Sequence, residues 1–169
     1  MTSAGPSEPT RVLAVDPGKH ALGWSAWSGG DLVACGLARA EGRDLGALAA
    51  ALVEQVPCGA DVAVVERMVH GYTSMAAIKD KVAKDLLDLQ AIGGYVAGAS
   101  GARKVVWASA HEWKGETPKT VTAKRVDKAL RPEELATMRA ALKTIPKALR
   151  HNLVDGVAIG LWYLRRIPR

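Results

Sequence analysis

The chain has 169 residues, 49% of them hydrophobic, and a net charge of +6, enough length for one domain with a real core. No apolar run approaches the ~18 residues of a membrane span, and Met1 to Pro9 has neither the basic start nor the apolar stretch of a secretory signal. Its two cysteines, Cys35 and Cys58, form no CxxC pair, which argues against a disulfide scaffold or a structural zinc site and fits a reducing cytoplasm.

Residues 1–10 read as a disordered tail and 11–169 as a single domain. "RVLAVD", Arg11 to Asp16, is a short buried strand that ends on a carboxylate, with Pro-Gly directly behind it. His20 to Trp27 is a second strand, "SGGD" a hairpin turn, and Leu32 to Ala38 a third strand, so the chain opens as a meander. Asp44 is placed to cap a helix running to Val56, which "PCG" ends. "DVAVVE", Asp61 to Glu66, is a fourth strand, reached by a helical crossover and hence parallel to the first.

From Ser74 to Ala99, Ile78, Val82, Leu86, Leu89, Ile92 and Val96 recur at helical spacing. Lys104 to Trp107 is a short fifth strand, and Ser109 caps a turn through Trp113. Helical patterns follow at Val121 to Leu130, Glu133 to Leu142 and His151 to Arg165. This order predicts an α/β domain: a mixed five-stranded sheet, a three-strand meander plus parallel strands, with helices on both faces.

Asp16 and Glu66 therefore end neighbouring parallel strands, at the sheet edge where open α/β sheets place their sites. Buried carboxylates side by side repel, and oxygen ligands of this kind favour Mg²⁺ or Mn²⁺. A third carboxylate, Asp155, falls in the first turn of the last helix, among Leu153, Val154, Val157 and Ile159. Taken alone it would merely complement the helix dipole. His151 and Asn152, four and three residues earlier, can share its face, and Gly156 would let the helix approach the sheet closely.

Charge is unevenly placed. Arg103 to Arg150 holds twelve Lys/Arg against five Asp/Glu, while the remainder holds eleven against twelve. One basic block of this kind suits a polyanion such as nucleic acid, or is simply a soluble surface.

"VLAVDPGKHALGWSAW", "VAVVERM" and "HNLVDGVAIGLW" resemble, in order and spacing, the three signature segments of the RuvC family of Holliday-junction resolvases, of ribonuclease H-like fold. The match is to a divergent or phage-type member. The resemblance implies metal-dependent hydrolysis of DNA at four-way junctions by a homodimer, leaving 5′-phosphate and 3′-hydroxyl ends. It implies Mg²⁺ or Mn²⁺, two ions about 4 Å apart, held by Asp16, Glu66 and Asp155. The fourth ligand is His151 or Asn152, with His151 favoured.

In the same family "HEWKGETPKTVTAKRV" resembles the segment whose lysines approach the scissile phosphate, making Lys114, Lys119 and Lys124 candidates. Arg125, Lys128, Lys143, Lys147 and Arg150 would extend the phosphate-binding surface. Tyr72 would offer a ring to the junction centre, and His70 a further DNA contact. Ser74 to Ala99 is the interface helix the resemblance suggests, although its apolar stripe equally suits a core. Three other classes share parts of this pattern: a broader branched-DNA or RNase H-like nuclease, a non-catalytic structure-specific DNA-binding protein, and an actin-like phosphotransferase. The last would need a second duplicated domain.

Overall fold

The computed structural model describes residues 10–67 and 80–167, with 80–83 and 119 described by backbone alone. The N-terminal tail, His70, Tyr72 and the start of the long helix lie outside the described residues.

Five strands form one sheet in the order β3-β2-β1-β4-β5. They are β1 Arg11–Asp16, β2 Ala21–Ser28, β3 Asp31–Arg39, β4 Val62–Arg67 and β5 Lys104–Ser109. β1–β2 and β2–β3 are antiparallel, which is the expected meander. β4 is parallel to β1, with Val15 opposite Val65, and β5 is parallel to β4. β5 runs two residues past the expected end because Glu66 and Arg67 continue the ladder to Ala108 and Ser109. The helices are α1 Leu45–Val53, α2 Asp80–Ala99, α3 Ala110–Trp113, α4 Lys119–Ala129, α5 Pro132–Thr144 and α6 Arg150–Tyr163.

Strand alternation divides the core between two faces. Val12, Ala14, Val62 and Val64 face the layer of α4, α5 and α6, against Trp27, Val126, Met138, Leu153, Val157 and Ile159. Leu13, Val15, Ala63 and Val65 face α1 and α2, against Leu48, Leu52, Ile92 and Val96. α1 starts as expected: the Asp44 side chain accepts from the Ala47 N–H at 2.7 Å. It ends at Val53, short of Val56, and the Gln55 amide there bridges Arg39 and the Ala51 carbonyl.

One expectation is corrected, the place of Asp155 in its helix. Of the two uses open to the α2 stripe, Ile92 and Val96 take the core one, buried in the second core. The face left open carries Leu87, Ala91, Gly94, Tyr95 and Gly98. Asp155 lies in the second turn of α6, because the helix begins at Arg150, and its first turn holds no acidic residue. A role in complementing the helix dipole, which acts within the first turn, thereby loses its basis.

Both cysteines are free thiols, Cys35 partly buried with its pKa pushed up to about 11 by burial, and Cys58 exposed. Among the described residues no helix is long and apolar enough to cross a membrane.

Candidate active site

Asp16 ends β1 and Glu66 stands one residue from the end of β4, and the parallel register sets them side by side. Glu66 is buried, with 6% of its surface exposed, and Asp16 is half-buried. Burial raises the Asp16 pKa well above the usual carboxylate range, and the charges of Glu66 and Asp155 raise it further. Burial also raises Glu66, although less, since a hydrogen bond from Asp16 supports its charged form. The two carboxyls therefore act on one another, and the balance tilts towards the charged form at Glu66 and away from it at Asp16.

Asp155 arrives from the other layer. Gly156 brings α6 down onto β2: a methyl there would lie 2.8 Å from the Gly23 carbonyl carbon. Gly23 is the β2 partner of Asp16, so this contact delivers the buried Asp155 to the end of the sheet that carries Asp16. Ser25 Oγ, donating to the Gly156 carbonyl at 2.8 Å, pins the same crossing.

β5 supplies the cation. Ser109 ends the strand and caps α3 in a reciprocal capping box with Glu112. Trp113 and Lys114 follow at once. The Lys114 ammonium sits 4.6 Å from the centre of the Trp113 ring, and its charge lowers the pKa of both Asp16 and Glu66. The buried Trp113 Nε1 has no partner at hydrogen-bond geometry, yet its N–H dipole favours the charged form of Glu66. It is a donor aimed at the carboxylates without a closed contact.

The loop behind Asp16 is tied down as well. Lys19 Nζ meets Asp88 Oδ2 of α2 at 2.5 Å, and Gly93 of α2 lets the helix close on Pro17 and Val65. Sequence reasoning passed over this pair, and no local pattern joins residues 69 positions apart.

The remaining candidates are scattered. His151 is exposed, at the mouth of a cavity of about 300 Å³ that it shares with Asp155, Thr120, Ala123, Leu142, Arg150 and Val154. Asn152 is half-buried, with Nδ2 donating to the Ala21 carbonyl at 3.2 Å. Lys124, Lys128, Lys143 and Lys147 are exposed and Arg125 half-buried. Arg150 donates through Nε to the Ile145 carbonyl at 3.0 Å, a structural use of part of its guanidinium. Tyr72 and the Lys119 side chain lie outside the described residues.

A metal fits this site in chemistry more than in finished geometry. The donors are all oxygen, and the burial and mutual repulsion that raise Asp16 are what a hard cation between the carboxylates would relieve. Among the described residues, however, no three His, Cys, Asp or Glu side chains are arranged to hold an ion. Asp155 would have to close on the pair.

No protein-family profile matches this sequence, and no curated protein matches it. Solved structures do. RuvC of Thermus thermophilus is 17% identical, with 90% of this chain aligned to 92% of that one at a TM-score of 0.53. The yeast mitochondrial Holliday junction resolvase Ydc2 is 12% identical, with 96% of this chain aligned to 82% of that one at a TM-score of 0.55. With its strand order, parallel β1–β4 pair and helices on both faces, the chain therefore has the α/β, ribonuclease H-like fold of the RuvC-type structures.

Proposed function

We propose that the protein is a divalent-metal-dependent endonuclease that cuts four-way DNA junctions by paired phosphodiester hydrolysis. One observation carries this reading: Asp16 and Glu66 lie side by side at the ends of adjacent parallel strands, with Asp155 and Lys114 close enough to act on both. Adjacent buried carboxylates repel and contribute little to stability, and they gain a use when a cation is bound between them. Likeness to a RuvC and to a Holliday junction resolvase supports branched DNA as the substrate.

Asp16, Glu66 and Asp155 would hold the metal, Mg²⁺ or Mn²⁺, with two ions in this reading and His151 or Asn152 as the fourth ligand. The ions would supply charge neutralisation and an activated water at the scissile phosphate. Asn152, oriented with Nδ2 on Ala21, would offer its Oδ1. Lys114, steadied over Trp113, would face the negative charge that develops on the phosphate oxygens. Lys119, Lys124, Arg125, Lys128, Lys147 and Arg150 would follow the DNA backbone, and Tyr72 would stack on an unpaired base. The products would be ligatable 5′-phosphate and 3′-hydroxyl ends, made in the cytoplasm.

Two opposed cuts call for two copies of the site. The open α2 face suits a second copy: Leu87 is 71% and Tyr95 51% exposed, and Gly94 and Gly98 have nothing within 4 Å. Small residues between two large apolar ones let helices approach closely, and sedimentation of Leu87→Arg against the parent chain tests this pairing.

The cleavage test uses a labelled mobile four-way junction in Mg²⁺, with linear duplex, a flap and an RNA–DNA hybrid alongside. Paired, ligatable nicks on the junction, lost in Asp16→Asn with binding kept, are expected. Equal cutting of flap or hybrid would replace this reading with a broader nuclease. Tight binding with no cutting in Mg²⁺ or Mn²⁺ would leave a DNA-binding protein.

A further inference from the structure

A concavity of about 770 Å³ lies at the opposite end of the molecule from Asp16, between the start of β5 and the end of α6. Among the described residues its lining is Lys104, Val106, Trp162, Tyr163, Arg165, Arg166 and Ile167, with no carboxylate side chain in it. β5 is an edge strand, so the groove runs along an open flank of the sheet.

The two arginines differ in use. Arg166 turns inward: it donates to Glu134 Oε2 at 2.6 Å, to the carbonyls of Gly30 and Ala129, and lies 5.7 Å from the Trp27 ring centre. Its charge is balanced within the fold. Arg165 is exposed and has φ of 58°, and among the described residues it is the only non-glycine with left-handed backbone. It occupies the helix-ending position where glycine is favoured, with its N–H on the Trp162 carbonyl and that of Arg166 on Leu161. A strained arginine in glycine's place indicates that its side chain is used.

We infer that this groove binds single-stranded nucleic acid, with Lys104 and Arg165 on phosphates and a base against Trp162 or Tyr163. Exposed cations free of a carboxylate partner, beside half-buried aromatic rings, form the combination that holds unpaired strands. A duplex keeps its bases stacked inside and would leave the aromatic floor unused. The volume falls within the range of ligand-sized clefts. This site goes beyond the nuclease reading and stands apart from the carboxylates.

The test measures binding of a fluorescein-labelled oligothymidylate to the full chain carrying Asp16→Asn. Lys104→Glu with Arg165→Gly removes both cations, and glycine relieves the turn at 165, so folding is retained. Affinity is expected to fall about tenfold or more, with a shallower salt dependence. A 5-iodouracil oligonucleotide is expected to crosslink to Trp162 or Tyr163. Unchanged affinity and salt slope, or crosslinks confined to the Asp16 end, would overturn the inference. So would polyglutamate displacing the strand at equal charge concentration, which would mark the groove as an acidic-peptide site. Junction cutting by the chain without these substitutions reports on the nuclease reading separately.

Discussion

Gly23 and Gly156 meet backbone to backbone where α6 crosses β2. A methyl at Gly156 would stand 2.8 Å from the Gly23 carbonyl carbon, and one at Gly23 would stand 1.8 Å from the Asn152 carbonyl oxygen. Neither neighbour can yield, since β2 lies between β1 and β3 and α6 is core. Gly156→Ala is expected to cost about 1–3 kcal/mol and to lift the adjacent Asp155 from the site. Urea denaturation reads the first effect and junction cutting at a temperature where the variant stays folded reads the second. Full activity in a folded Gly156→Ala would show that this approach does not position Asp155.

Asp16→Asn removes a metal ligand and a repulsive charge together. An asparagine amide can donate to the neighbouring Glu66 carboxylate and carries no charge to repel it. Without metal, the variant is expected to be as stable as the parent or more so by about 1 kcal/mol, while cutting is lost. A marked drop in melting temperature without metal would contradict the repulsion between Asp16 and Glu66.

The pH dependence of stability follows from the same pair. Burial raises both carboxyls above their ordinary values of 3.8 and 4.5, so above those values the folded chain holds more protons than the unfolded one. Their contribution is fully present at low pH and is lost as pH rises through the raised values. Metal-free stability is expected to decline more steeply with rising pH in the parent than in Asp16→Asn. Adding Mg²⁺ or Mn²⁺ should release protons, measurable by calorimetry in buffers of different ionisation enthalpy. Metal binding with no proton release would mean that the pair is already ionised.

Glu134 works in the opposite sense. Burial pushes its carboxyl up, but hydrogen bonds from Arg166 and Arg131 outweigh burial and hold it well below the usual range. Glu134 also accepts from the Leu32 N–H at 2.9 Å, and Arg131 reaches Asp31, so the network ties α5 to the β2–β3 turn. Its contribution is present above 4.5 and lost as pH falls through the depressed value. Glu134→Gln is expected to cost about 2–3 kcal/mol at neutral pH, with a smaller loss in acid. Chemical denaturation at two pH values checks both.

Lys114 is the cation whose charge reaches both Asp16 and Glu66. Lys114→Gln should raise both carboxyls further and slow junction cutting by about 10²–10³, with only a small loss of affinity. Single-turnover rates separate the two. A variant that loses affinity but keeps its rate would make Lys114 a backbone contact.

Much of this was legible in the chain itself. The strands announced themselves through apolar runs broken by Gly, Pro and Asp, and parallel β1 and β4 followed from the crossover between them. That alone put Asp16 beside Glu66. The basic block and Ser109's capping role were also local properties, visible from composition and spacing.

What only the tertiary structure decided depends on facing surfaces. The α2 stripe was visible, but whether it met the sheet or a second copy depended on which face of the helix turned inward, and Ile92 and Val96 went to the core. Lys19 with Asp88, and Glu134 with Arg131 and Arg166, are pairings across layers that helical or strand periodicity does not encode. Asp155 belonged to the site only once two glycines, 133 residues apart, let one backbone rest on another. Local sequence determines dihedral preference and pattern, whereas packing of one layer on another determines which charges come to act on one another.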